Sequence, residues 1–169
     1  MKELKLVLET RARHVIHDDF YYKSFEDFVF KEGIEFTCNE LTEEETKIVK
    51  DALGISKSSK GGECFYNAQL LALSDSTKKI EYWEGYTTSS IPTLPILHGF
   101  NVINGKIIDV THKINKKHIL GDFGKDKEYI GVKFETSRIL EQIKAGKPSV
   151  SFIDDWNDGW AVLQNKWGN

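Results

Sequence analysis

The dipeptide Asn104-Gly105 stands between two apolar runs, Ile96 to Ile103 and Lys106 to Thr111. A two-residue hairpin turn needs positive φ at both central positions, and Asn and Gly accept that at the least cost. The pair therefore predicts a hairpin, and the hairpin predicts a register. Ile103 faces Lys106, Phe100 faces Asp109, and His98 faces Thr111. Because strand side chains alternate with period two, His98, Phe100 and Val102 share a face with Ile107, Asp109 and Thr111. His98 and Asp109 are then diagonal neighbours, about 7–8 Å apart at the backbone and within side-chain reach. An imidazole donates Nδ1–H to a carboxylate across that gap, above an apolar floor of Phe100, Val102 and Ile107. A slip of one residue would send the pair to opposite faces.

A second constraint comes from Cys64. It follows Gly61-Gly62 and opens the run CFYNAQLLALS, which is apolar almost all round and predicts a buried central helix. Unpaired N–H groups and a partial positive charge at a helix N-terminus favour thiolate over thiol, and the thiolate is the nucleophile. If this helix packs on the His98 face, then nucleophile, base and orienting acid meet. Asn67 and Gln69 lie on the same helix. Asn67, three residues on, shares nearly the same side and either orients a substrate amide or satisfies nearby backbone. Tyr82 and Glu84, in the strand-like stretch KIEYWEGYTT, either line the cleft or sit on a solvated strand face.

The remaining elements follow from period and punctuation. Thr42 to Glu45 is a capping box, with Ile48, Val49, Ala52 and Leu53 on one helical face behind it and Gly54 as terminator. SFEDFVFKEG predicts a short helix ending at Gly33. Another runs from about Thr136 to Ala145, with Ile139, Leu140 and Ile143 inward and Gly146 and Pro148 closing it. KEYIGVKFE and WAVLQ are strand candidates, and Ser56 to Gly62 is the most loop-like stretch. The order predicts an α+β fold, helices first and then an antiparallel sheet.

A chain of 169 residues fits a single domain, residues 1–169, and can bury roughly two-thirds of its unfolded surface. No apolar stretch reaches the roughly 20 residues that span a bilayer. The apolar part of MKELKLVLETRARH is too short and too charged for a signal-peptide core, so a cytoplasmic location is expected. A net charge of -3 argues against a general nucleic-acid binder. Two cysteines, Cys38 and Cys64, make no disulfide framework. His14 and His17 have no identifiable third partner, and Asp154, Asp155 and Asp158 lack a full calcium-loop pattern, so no metal and no cofactor is expected.

Three segments carry a resemblance: GGECFYNAQ, LHGFNVINGK and IIDVT. Together they resemble the papain-like superfamily in its transglutaminase-type permutation, which reads Gly-x-Cys at a helix start, His with an aromatic two residues on, then a strand carrying Asp. Arylamine N-acetyltransferases share this chain order. The chain is also similar to small phage and bacterial proteins with a Gly-x-Cys-x-x-Asn-Ala helix, a Tyr-x-Glu-Gly strand and a His-x-aromatic hairpin, here Gly62 to Ala68, Tyr82 to Gly85 and His98 to Phe100. The resemblance covers residues 61–111. His-Gly-Phe stands where transglutaminases usually have His-Ala-Trp, and Lys60 where the acetyltransferases have Arg.

The resemblance implies a thiol enzyme that transfers acyl groups through a thioester, with Cys64, His98 and Asp109 catalytic and Asn67, Gln69, Glu84 and Phe100 binding substrate or supporting the site. Amidase, deamidase, peptidase and transglutaminase-type reactions all remain open, on a protein or small-molecule substrate. The alternative is a non-catalytic binding protein on the same fold, such as a phage factor that sequesters a host protein.

Overall fold

The computed structural model describes residues 3–56, 62–89, 91, 94–114, 127–147 and 150–167. Among these, six α-helices accompany a five-stranded antiparallel sheet, an α+β fold. The helices are α1 (Glu3–Ala12), α2 (Phe25–Glu32), α3 (Glu43–Ser56), α4 (Cys64–Ser74), α5 (Val110–Ile114) and α6 (Thr136–Lys144). The strands are β1 (Ile34–Thr37), β2 (Glu81–Thr87), β3 (Ile96–Ile103), β4 (Lys106–Ile108) and β5 (Glu128–Phe134), in the spatial order β1-β5-β2-β3-β4. No helix among the described residues is long and apolar enough to cross a membrane.

The hairpin has the register that its turn predicts: Ile103 pairs with Lys106, Val102 with Ile107 and Asn101 with Ile108. Asn104 and Gly105 both have positive φ, 49° and 77°. The second strand is shorter than expected. It stops at Ile108, and residues 110–114 turn into α5.

The capping box forms as read. Thr42 Oγ1 accepts from Glu45 N–H, and Glu45 Oε2 accepts from Thr42 N–H. The same Glu45 carboxylate accepts from Asn104 Nδ2 and Lys106 Nζ, tying the hairpin tip to α3. Those bonds hold its pKa down at about 2. α3 runs two residues past Gly54, and Val49 and Ala52 are its buried core residues.

The sheet has two different faces. On one, Tyr82, Tyr86, Ile130, Val132 and Phe134 pack with Leu4 and Leu8 of α1, Phe28 and Val29 of α2, Ala68 and Ala72 of α4 and Ile139 of α6. The sheet also curls until β1 and β4 touch. Its other face thereby encloses a smaller core of Phe36, Trp83, Phe100, Val102, Ile107 and Tyr129.

Several expectations are corrected. The sheet takes a strand, β1, from between the N-terminal helices, so the helices do not all precede it. WAVLQ is a chain of turns. Val162 and Leu163 are adjacent and both wholly buried in one cluster, which strand alternation forbids. In α6 only Ile139 of the expected apolar face is buried. Gln142 takes the place beside it, three residues on, and Leu140 and Ile143 are half exposed. Pro148 and most of the loop from Ser56 to Gly62 lie outside the described residues.

Candidate active site

Cys64 is the first residue of α4, and its N-cap residue Glu63 makes no side-chain cap bond. The helix does not lie on the His98 face. It packs on the opposite one, where Asn101 Nδ2 donates to the carbonyl of Ala68 at 2.9 Å. The first turn of α4 presses on β3 at Gly99, where an added Cβ would stand 3.0 Å from the Phe65 Cα and 3.2 Å from its N. Glycine is the residue that allows this approach.

The thiol meets His98 at the end of the shortened hairpin. The last β4 pair is Asn101 with Ile108, so β4 does not flank His98 and Gly99. The Cys64 thiol there lies beside the His98 side chain and the backbone N–H groups of Gly99 and Phe65, close enough for each to favour its charged form. The imidazole bonds Asp109 on its other side, through Nε2 to Oδ2 at 2.9 Å. The expected donor was Nδ1. With Nε2 committed to the carboxylate, Nδ1 is the nitrogen left for the thiol.

Asp109 lies just past β4, on the face that the register predicts. Its Oδ1 accepts from the backbone N–H of His112 at 2.9 Å, which fixes the carboxylate on the first turn of α5. Its Oδ2 also accepts from the Tyr129 hydroxyl at 2.7 Å.

The charges are coupled. Burial alone would push the Cys64 thiol up. The His98 hydrogen bond, the imidazolium charge and the two backbone N–H groups outweigh it and leave the thiol below its ordinary value. Burial also works against a charged His98, but the neighbouring Asp109 carboxylate and the Cys64 sulfur raise it well above the usual histidine range. Asp109 is depressed despite its burial, because the imidazolium and two further donors, His112 N–H and the Tyr129 hydroxyl, stabilise its charge. The arrangement favours a thiolate–imidazolium–carboxylate series over its neutral form.

The chain matches no family model, no curated protein and no solved structure.

The supporting residues separate into two groups. Asn67 Nδ2 donates to Thr111 Oγ1 at 2.9 Å, joining the Cys64 helix to the α5 turn that carries Asp109. Phe100 floors the site, its ring lying over Gly131, where a Cβ would stand 2.7 Å from Cζ. Gln69 instead donates to the Tyr82 hydroxyl and the Val150 carbonyl. Glu84 is wholly buried, so it neither lines a cleft nor faces solvent. Its carboxylate accepts from Tyr82 Oη, Ser151 Oγ and the backbone N–H groups of Phe152 and Ile153, fastening the C-terminal segment to the helix-covered face.

Tyr129 also joins the site, and nothing in the local sequence marks it. Its contact with Asp109 depends on the crossover order β5-β2-β3 and on the curl, neither of which has a local signature. Among the described residues no group of three His, Cys, Asp or Glu side chains could hold a metal. His17 stacks on Phe20 and lies tilted against Trp160, and Asp155 caps the short 3-10 turn Trp156–Asp158.

Proposed function

We propose that the protein is a thiol-dependent acyl-transfer enzyme of the transglutaminase-like, papain-like type, with Cys64 as nucleophile, His98 as general acid and base, and Asp109 as the group that orients His98. The observation that carries this reading is one imidazole that bonds the Asp109 carboxylate through Nε2 and lies beside the Cys64 thiol. The chain order supports it too: a cysteine at a helix start, then histidine on one arm of a hairpin and aspartate just past the other.

In the first half-reaction the Cys64 thiolate attacks the carbonyl carbon of an amide or ester. The carbonyl electron pair moves to oxygen, and the backbone N–H of Cys64, at the helix start, stabilises it. Collapse of this intermediate breaks the bond to the leaving amine or alcohol, which takes the imidazolium proton and leaves a thioester on Sγ. In the second, neutral His98 removes a proton from water or an amine as it attacks the thioester, and the thiolate is the leaving group. Water gives hydrolysis and an amine gives transfer. Asp109 holds Nε2–H throughout and stabilises the imidazolium without taking its proton.

The test is a panel of peptide amides, esters and acyl thioesters, assayed for turnover and for an acyl adduct on Cys64 by intact mass. Turnover that disappears in Cys64→Ser, with the adduct mapped to Cys64, is the expected result. No turnover and no adduct across the panel would leave sequestration of a partner as the better account.

A further inference from the structure

We infer that Tyr129 is a positioning residue of the same site, acting through Asp109 to keep the His98 imidazole charged and aimed at the Cys64 thiol. This rests on the proposed thiol chemistry and adds a member to it that the Cys-His-Asp pattern does not contain.

The geometry is specific. The Tyr129 hydroxyl donates to Asp109 Oδ2 at 2.7 Å, and that same oxygen accepts from His98 Nε2 at 2.9 Å. With His112 N–H on Oδ1, the carboxylate has three donors on two oxygens and cannot rotate without breaking one of them. Tyr129 is almost wholly buried, its ring packed against Phe100 at 5.1 Å and facing the His98 ring at 6.5 Å. Burial and the Asp109 charge raise its hydroxyl far above the ordinary phenol range, so it stays protonated and acts as a donor. The titratable groups around this centre are His98 from β3, Asp109 before α5, Cys64 from α4 and Cys38 just past β1.

The physical consequence has a sign. A donor to the charged carboxylate lowers the pH at which Asp109 takes up a proton. Without it, Asp109 takes up its proton at higher pH, and the series it belongs to titrates with it. The imidazolium then loses its counter-charge and the thiolate loses its partner.

The experiment is the pH dependence of iodoacetamide alkylation at Cys64, followed by mass spectrometry, in the unmodified protein and in Tyr129→Phe. The acid limb is expected to move to higher pH by about half to one unit, the scale of one hydrogen bond to a charged group. In an Asp109→Asn background, Tyr129→Phe should produce no further shift, since its route is gone. A loss of folding stability alone would move neither limb. An unshifted limb in Tyr129→Phe, with the unmodified protein alkylated rapidly at low pH, overturns the role of Tyr129 and leaves the thiol site standing. Slow alkylation of the unmodified protein would instead overturn the site itself.

Should Tyr129→Phe fail to fold, the unmodified protein still decides the matter by NMR. A Tyr129 hydroxyl proton protected from exchange and close to the His98 Nε2–H supports the assignment, and a rapidly exchanging one overturns it.

Discussion

Glu84 and Asp109 are both sealed carboxylates, one on each face of the same sheet, and their surroundings push them in opposite directions. Glu84 accepts from two hydroxyls and two backbone N–H groups, and no cation is among these donors. Burial wins there, and its pKa is raised. Asp109 accepts from one hydroxyl, one backbone N–H and an imidazolium, and its pKa is lowered. The number of donors is similar. One neighbouring positive charge separates a carboxylate that fastens a segment from one that sustains reactive charge elsewhere.

The sharpest way to break this comparison is to neutralise each acid in turn. Asp109→Asn should leave the fold intact and cut turnover by about 10⁴-fold, the scale of a disturbed histidine tautomer in a serine-histidine-aspartate triad. Glu84→Gln should leave the reactivity of Cys64 unchanged. Glu84→Ala strands buried donors and should cost about 3 kcal/mol or more in denaturant unfolding. Comparable losses of turnover in Asp109→Asn and Glu84→Gln would erase the distinction.

A smaller effect tests how the two faces are joined. Gly99→Ala forces a Cβ against the backbone of Phe65 and should cost about 1–3 kcal/mol as overpacking. It should also push the α4 start off β3 and slow alkylation of Cys64. Unchanged alkylation would mean that close packing at Gly99 does not hold the thiol at His98.

The smallest effect is in stability against pH, where the two acids have opposite signs. The contribution of Asp109, whose folded pKa is depressed, is present above the usual carboxylate range near about pH 4 and is lost as pH falls through its lowered value. That of Glu84, whose folded pKa is raised, is full below that range and is lost as pH rises through its raised value. Denaturant midpoints should therefore lose some acid sensitivity in Asp109→Asn, and in Glu84→Gln some of their decline above about pH 4. Parallel curves for the two variants would contradict the assigned directions.

What could be read from the sequence was local. Asn104-Gly105 specifies its own turn, and the turn carries the register that puts His98 and Asp109 on one face. The capping box at Thr42 is equally self-contained. The side on which α4 packs was not local. It depends on Gly99, whose missing side chain gives no hydrophobic signal, and on Asn101, a buried polar residue in an apolar strand. The thiol still reaches His98 because β4 ends early, which the apolar run through Thr111 conceals. Glu84 was illegible for a similar reason. Three of its four donors lie 67 to 69 residues away, in a C-terminal segment with no pairing signal to β2.

The most direct test of the account is the ionisation of Cys64. Thiolate absorbance, taken as the difference between the unmodified protein and Cys64→Ser, gives the pH of half-ionisation free of Cys38. With an assembled site the value lies below that of a free thiol, about 8.5, and rises toward it in His98→Ala. A value at or above the free-thiol level, unmoved by His98→Ala, would contradict it.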